Sequence, residues 1–374
     1  MKTVCELNRC AGCGACVAKC PKNAVRVVDD LKALNATIAP ALCVDCGLCE
    51  RVCPVVNPVE ATRPVEWRQG WAENEAVRAA ASSGGVATAL AQAFVENGGV
   101  VCSCVFRRGN FVFDFAETSD DVAKFAGSKY VKSDPTDAYA EILRTLKSGR
   151  KVLFIGLPCQ VAGVRNFTGD NESLYTVDLI CHGSPSPNIL RMFLKERGYD
   201  AEMVDNVAFR EKTEFFLSVD GRGVEPPTVR DRYVFAFLKS ICYTENCYDC
   251  RYASLERVAD ITLGDSWGSE LSETEQKKGV SLILRRTERG AELLESAELR
   301  LSDVDLDKAI ANNRQLSKPS ERPSERERFY DLLNKTGSFN KTIRKLYPKV
   351  CLRQRVKAAL IRAKLLGKRG GGKD

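Results

Sequence analysis

The chain changes its hydrophobic rhythm several times, and each change marks an element or a boundary. Val100–Phe106 and Phe111–Ala116 are apolar, β-rich runs separated by Arg107–Asn110, a pattern that predicts a hairpin. A helical pattern over about Thr136–Leu146 leads through Ser148-Gly149-Arg150 into Lys151–Ile155, which reads as a buried strand. A second apolar run, Leu174–Ile180, precedes helical spacing over about Asn188–Arg197. Val86–Val95 reads as a helix and Asp260–Leu263 as a strand. Strands alternating with helices predict an α/β core with some parallel pairing. Residues 55–67, with Pro58 and Pro64, read as a linker, and from about Gln315 the stretch SKPSERPSERERF reads as a second, charged one.

Composition changes this picture at one point. The 374 residues contain 17 cysteines and a single histidine, so mixed cysteine–histidine zinc sites have almost no material. The start, MKTVCELNRCAGC, lacks the apolar stretch of an export signal, and no run of 18 uncharged apolar residues occurs. A cytoplasmic chain with reduced thiolates is expected, and thiolate-only metal sites become the leading chemistry.

Charge is divided along the chain. Residues 341–374 carry twelve Lys and Arg against one Asp, a local +11 that leaves −4 for the rest of the +7 chain. The basic balance therefore belongs to the tail, and nucleic acid is not an expected partner. Within the tail, Val356, Leu360, Ala363 and Leu366 recur at helical spacing, and Arg353, Lys357, Lys364 and Lys368 supply charge. Such a basic amphipathic helix suits peripheral contact with an anionic membrane, a solvated terminus or a partner protein. The final GKRGGGKD is expected to be disordered.

The first eight motif cysteines form a repeat. Cys10, Cys13, Cys16 and Cys20-Pro21 give C-x2-C-x2-C-x3-C-P, and Cys43, Cys46, Cys49 and Cys53-Pro54 repeat it 33 residues later. Two-residue gaps let three thiolates wrap one cubane, while the fourth, before proline, reaches the partner cluster. Zinc knuckles would leave all eight spacings and both prolines unexplained. The repeat resembles the bacterial-type two-[4Fe–4S] ferredoxins. That resemblance implies one cluster on Cys10, Cys13, Cys16 and Cys53, and a second on Cys43, Cys46, Cys49 and Cys20. Cys5 lies outside the repeat and reads as an unliganded thiol.

In the body, Cys159 follows the first buried strand and Cys181 the second, at the edge where open α/β sheets bind ligands. Cys242, Cys247 and Cys250 form a compact group farther on. Five cysteines for four positions suggest a third cluster, on Cys159, Cys181, Cys247 and Cys250 with Cys242 as the substitute; buried core thiols are the plain alternative. Cys102, Cys104 and Cys351 read as unliganded. Ser82-Ser83-Gly84-Gly85 ahead of a helix offers free N–H groups to a phosphate, or is a simple helix cap. Gly127-Ser128-Lys129-Tyr130 adds a cation and a ring, and Gly264-Asp265-Ser266-Trp267-Gly268 a carboxylate and an indole. Clusters pass single electrons and most metabolites take two, so these pieces together suggest a flavin gate.

Six ordered motifs, SSGGVATAL, GSKYVKS, GLPCQVAGVRN, DLICHGSPSP, CYDCRYAS and ADITLGDSWG, resemble the family of coenzyme F420 hydrogenase/dehydrogenase beta subunits over about Trp67–Leu306. The resemblance implies FAD, a [4Fe–4S] cluster in this domain, and electron transfer between clusters and a two-electron acceptor. It makes Ser83, Gly84, Gly85, Ser128 and Lys129 candidate FAD contacts, and His182 and Asp265 candidate catalytic residues near the flavin. The two-electron acceptor could be coenzyme F420 or a substrate in surface-polysaccharide synthesis, and the expected partner is a redox protein or a deazaflavin or other small-molecule acceptor, with electron flow in either direction. A non-catalytic electron-transfer subunit is the alternative, and a zinc-bearing scaffold a third reading. The expected organisation is α/β (α+β overall): a two-[4Fe–4S] ferredoxin domain at 1–57, linker and start of the core at 58–80, a mixed-sheet FAD/iron–sulfur reductase domain at 81–314, and a charged linker and tail at 315–374.

Overall fold

The computed structural model describes residues 2–169 and 171–363. Its first 57 residues form an antiparallel sheet of β1 (Lys2–Thr3), β2 (Val25–Asp29) and β3 (Leu34–Ile38), in the order β1-β3-β2. Short helices Ala15–Lys19 and Leu48–Arg51 occupy equivalent places in the two cysteine repeats. This unit is welded to the body. Val25, Ile38 and Val52 share one core with Tyr139, Ile142, Val161 and Phe167, and the Tyr139 hydroxyl donates to the Cys13 carbonyl at 2.7 Å.

The body is built on an eight-stranded mixed sheet. Its strands are β4 (Glu66–Ala72), β5 (Val100–Arg107), β6 (Asn110–Ala116), β7 (Val152–Gly156) and β8 (Leu174–Leu179). A small separate sheet intervenes, β9 (Val207–Glu211), β10 (Glu214–Val219) and β11 (Arg222–Gly223). The large sheet then resumes with β12 (Ile261–Asp265), β13 (Ser281–Arg285) and β14 (Leu299–Ser302), in the order β14-β4-β13-β12-β8-β7-β5-β6. Strands β5, β7, β8 and β12 run parallel, and antiparallel strands close both edges. β7 is buried along its whole length, which accounts for its unbroken apolar sequence. Gly156 lies opposite Asp178, and Leu179 opposite Leu263, so the carboxyl ends of three neighbouring parallel strands reach one edge.

The hairpin, the buried strands and the parallel pairing follow the sequence reading to within about two residues. Two segments differ. The end of the expected linker at 55–67 enters β4, an interior strand paired with both β13 and β14. Its sequence EWRQGWA lacks period-two alternation, so only tertiary pairing makes it a strand. Residues 315–363 are not a linker with a free tail: helices Arg326–Thr336, Phe339–Leu346 and Pro348–Arg362 pack on the small sheet. Phe329 and Phe339 are fully buried there, each stabilising by about 1.5–3 kcal/mol. Charged residues on the outer faces dominate the composition and hide this apolar stripe. On the last helix Cys351 and Ala358 face inward, while Leu352, Val356 and Leu360 are exposed. Lys364, Leu366, Lys368 and the GKRGGGKD segment lie outside the described residues. No described helix is long and apolar enough to cross a membrane.

Candidate functional site

Two small cavities open inside the N-terminal unit. Cys10, Cys13, Cys16 and Cys53 line one, and Cys20, Cys43, Cys46 and Cys49 line the other. Each set therefore mixes the two repeats, because helices Ala15–Lys19 and Leu48–Arg51 each carry a fourth thiol across to the opposite site. Backbone N–H groups support the sulfurs: Gly12 donates to Cys10 Sγ at 3.4 Å, Ala24 to Cys20 Sγ at 3.3 Å and Asp45 to Cys43 Sγ at 3.4 Å. The first set is buried, whereas Cys46 of the second is exposed. Cys5, outside the repeat and expected to be a bystander, stands in the wall of the first cavity. The neighbouring Cys5 thiol draws Cys10 down to about 7 and Cys53 to about 6, against the opposing effect of burial. Burial pushes Cys13 up to about 12.

The sheet edge builds a third cavity. Cys159 sits in the first turn of helix Pro158–Thr168 after β7, and Cys181 stands two residues past β8. Cys247 and Cys250 come from the turn around Glu245–Asp249, and all four line one space. Cys242 is not among them. It is fully buried against Tyr233 and Val234 in the core under the small sheet, and burial pushes its thiol up to about 12. The turn that follows helix Arg232–Leu238 drives it into that core and leaves Cys247 and Cys250 to face the edge. Burial also pushes Cys181 up to about 12. At Cys247 burial acts in the same direction, but Lys132 and the hydroxyl of Thr244 outweigh it and the thiol lies below its ordinary value. Among the described residues no three His, Cys, Asp or Glu groups converge on a single-ion site. The cysteines surround cavities instead, four sulfurs to each with Cys5 a fifth at the first, and four thiolates are the donor set of a cubane.

Beside the third cavity lies a much larger one, of about 1110 Å³. That exceeds the usual range for small-molecule sites, about 300–1,000 Å³. One wall is the N-terminus of helix Val86–Glu96, preceded by Ser82, Ser83 and Gly85. Gly85 holds φ +82, which leaves the first N–H groups of the helix open to the cavity. Gly84 does not reach the cavity. It is buried against the sheet, its N–H donating to Ser281 Oγ at 3.1 Å, and a Cβ there would lie 2.4 Å from the Gly70 carbonyl oxygen. Ser83 lines the cavity with its hydroxyl donating to the Val280 carbonyl at 3.0 Å.

The opposite wall carries Ser128, Lys129 and Tyr130. The Ser128 N–H donates to Ser82 Oγ at 2.9 Å, tying the two loops together. Lys129 spends its ammonium on the carbonyls of Phe125 and Ala126, at 2.6 and 3.0 Å, and burial lowers its pKa. Tyr130 stacks on Phe237 with ring centres 4.4 Å apart. His182 and Asp265 both line this cavity. Burial lowers the His182 pKa and so favours the neutral ring. Asp265 is held at the end of β12 by a bidentate pair with Arg210, at 2.7 and 3.1 Å, which occupies both carboxylate oxygens. No sequence pattern distinguishes Arg210, which lies on β9. Lys132 is the second cation of GSKYVKS, and the motif alone gives no reason to prefer it to Lys129.

These cavities form a series. Ala11, Pro54 and Val55 line both the first cysteine cavity and the third. Cys181, His182, Gly183 and Ser184 line both the third and the large one. The salt bridge of Arg9 with Asp249 and the Tyr139 hydroxyl clamp the N-terminal unit in that position.

Comparison with known proteins covers the same ground. Residues 68–138 and 149–305 match the N-terminal and C-terminal models of the coenzyme F420 hydrogenase/dehydrogenase beta subunit, and residues 9–57 match a 4Fe-4S dicluster domain. One of the subunits of the F(420)H(2) dehydrogenase of Methanosarcina mazei is 25% identical over 285 residues, 71% of this chain and 79% of that one. The coenzyme F420-dependent sulfite reductase of Methanocaldococcus jannaschii is 27% identical over 324 residues, 78% of this chain but only 46% of that protein. Among solved structures, a chain from the F420-reducing [NiFe] hydrogenase complex of Methanosarcina barkeri is 20% identical with a TM-score of 0.47, covering 70% of this chain and 97% of that one.

Proposed function

This chain belongs to the family of coenzyme F420 hydrogenase/dehydrogenase beta subunits, with a 4Fe-4S dicluster domain at its start, and on that footing we propose that it is an iron–sulfur flavoprotein oxidoreductase. It passes electrons between three [4Fe–4S] clusters and a two-electron acceptor by way of FAD. The observation that carries the reading is the succession of shared walls from the first cysteine cavity to the third and on to the large cavity.

In this reading Cys20, Cys43, Cys46 and Cys49 hold the outer cluster, Cys10, Cys13, Cys16 and Cys53 the next, and Cys159, Cys181, Cys247 and Cys250 the innermost. The partly exposed outer site is the port for a redox partner protein. A flavin bound in the large cavity supplies exchange of single electrons with the clusters and of electron pairs with an organic acceptor. The N-terminus of helix Val86–Glu96, opened by Gly85, takes a diphosphate, and Ser83 and Ser128 flank it. The Lys129 ammonium stiffens the loop carrying Ser128 and Tyr130. His182 adjoins Cys181, so the residue that offers a neutral ring for proton transfer is next in sequence to a cluster ligand. Asp265 fixes Arg210 in the wall and acts by position.

The acceptor to test first is a deazaflavin of the F420 type, because the M. mazei and M. jannaschii relatives are named for that coenzyme. A substrate in surface-polysaccharide synthesis comes after it. The M. mazei relative is named as a subunit, which favours a second reading: a chain that only relays electrons within a larger redox complex. Turnover separates the two. Anaerobic holo chain that oxidises or reduces F420 or a viologen dye catalytically is an enzyme; clusters that reduce normally, with no bound flavin and no turnover, identify a relay.

A further inference from the structure

Lys132 occupies an unusual place. Its side chain is buried, with 5% of the residue exposed, yet no described carboxylate pairs with it. Its ammonium donates to the Ala11 carbonyl at 3.3 Å, in the loop between Cys10 and Cys13, and lies 3.9 Å from Cys247 Sγ. The stem packs over Gly12, and the backbone N–H is anchored on the Pro185 carbonyl at 2.9 Å. The one charged nitrogen thus stands in the third cavity and, through the Ala11 carbonyl, against the wall that this cavity shares with the first.

Burying an ammonium without an anion is strongly unfavourable. Here, among the described residues, its polar contacts are Cys247 Sγ in the third cavity and the Ala11 carbonyl in the wall of the first, so its charge is compensated when those sites are filled and anionic. Adding an electron to either cluster adds one negative charge beside this ammonium, and in a site away from water that attraction is strong. The outer cavity of Cys20, Cys43, Cys46 and Cys49 is lined by neither Lys132 nor its neighbours.

We propose that Lys132 is the positioning charge of the inner electron path: one fixed cation, shared by the first and third clusters, that raises the reduction potentials of both and leaves the outer cluster untouched. The inference rests on the three-cluster reading above. Lys132 biases the path inward, since each inner cluster is then easier to reduce than it would be without the cation.

The test uses full-length chain, prepared anaerobically and reconstituted, with potentiometric titration followed by electron paramagnetic resonance. Wild-type chain with about twelve irons establishes the premise; about eight irons overturns the three-cluster reading before Lys132 is tested. Lys132→Gln keeps a donor for Ala11, and Lys132→Met keeps the stem volume. Both, at wild-type iron content, should show reduction of the two inner clusters disfavoured by about tenfold or more, a shift of about 59 mV or more to lower potential for a one-electron couple. The outer cluster should not move, and Lys132→Arg should restore the wild-type order. Unchanged inner potentials in either neutral variant, or an equal shift of all three clusters, overturn the proposal. If both neutral variants fail to hold the third cluster, Lys132→Arg decides: full iron with wild-type potentials supports a requirement for charge, and loss of the cluster there too overturns it.

Discussion

In the N-terminal unit, eight cysteines reach two cavities from positions 10–53, with spacings that repeat residue for residue. In the body, four cysteines reach one cavity from positions 159–250, brought together by β7, β8 and a turn that follows the small sheet. The donor sets are alike and the construction is opposite. The first two sites draw all their repeat cysteines from one short stretch of chain, although its core is shared with the body. The third exists only because parallel strands align their carboxyl ends, which places it where an open α/β sheet also offers a cofactor site. The N-terminal unit accordingly keeps one cysteine set in the interior and brings the other to the surface at Cys46, while the sheet brings its set to the wall of a large cavity.

The sharpest way to break this comparison is to remove the third site. Cys181→Ser with Cys247→Ser should lower iron from about twelve to about eight atoms per chain, with the signals of the N-terminal pair intact and turnover abolished. Iron falling to near zero would mean the two regions do not hold their clusters independently. Next in size is Gly85→Val. The β-branched residue meets φ +82 and the Arg78 backbone 3.2 Å from its Cβ, a strain of about 1–2 kcal/mol that should close the helix N-terminus. Flavin content should collapse while iron is retained; retained flavin would place the cofactor elsewhere.

A smaller effect is expected at Arg210→Met, which strands Asp265 in a partly buried wall. The loss should be about 2 kcal/mol of stability in chemical denaturation, below the 3–5 kcal/mol of a fully buried pair because Asp265 keeps some solvent contact. Substitution of Asp265 to Asn should cost less than Arg210→Met if the carboxylate acts by position. The smallest change belongs to Cys242→Ala: a small buried cavity, about 1–2 kcal/mol, and no change in iron. A loss of iron there would restore Cys242 to the ligand set.

The same contrast explains what could be read from the sequence. The eight ferredoxin-type spacings are local, and the resemblance they carry implied the grouping that the two cavities show. β7 and β8 announce themselves as apolar runs, so the edge carrying Cys159 and Cys181 was foreseeable. Whether Cys242 or Cys247 faced that edge was not, because the answer depends on how the chain turns after helix Arg232–Leu238. Gly84 and Gly85 look equivalent in SSGG, yet one packs against β4 and β13 and the other caps a helix. Lys129 and Lys132 are three residues apart, and only packing sends one to helix carbonyls and the other between two cysteine sites. The terminal helices were hidden because their polar faces outnumber the buried Phe329, Phe339 and Ile343.

The account stands on a series of three clusters ending at a flavin, and cofactor stoichiometry addresses it most directly. Iron, acid-labile sulfide and flavin per chain should be measured after strictly anaerobic purification and reconstitution with FAD. About twelve irons, about twelve sulfides and one flavin is the predicted result. About eight irons with no flavin would contradict it, leaving a two-cluster module joined to a body without its own redox centre.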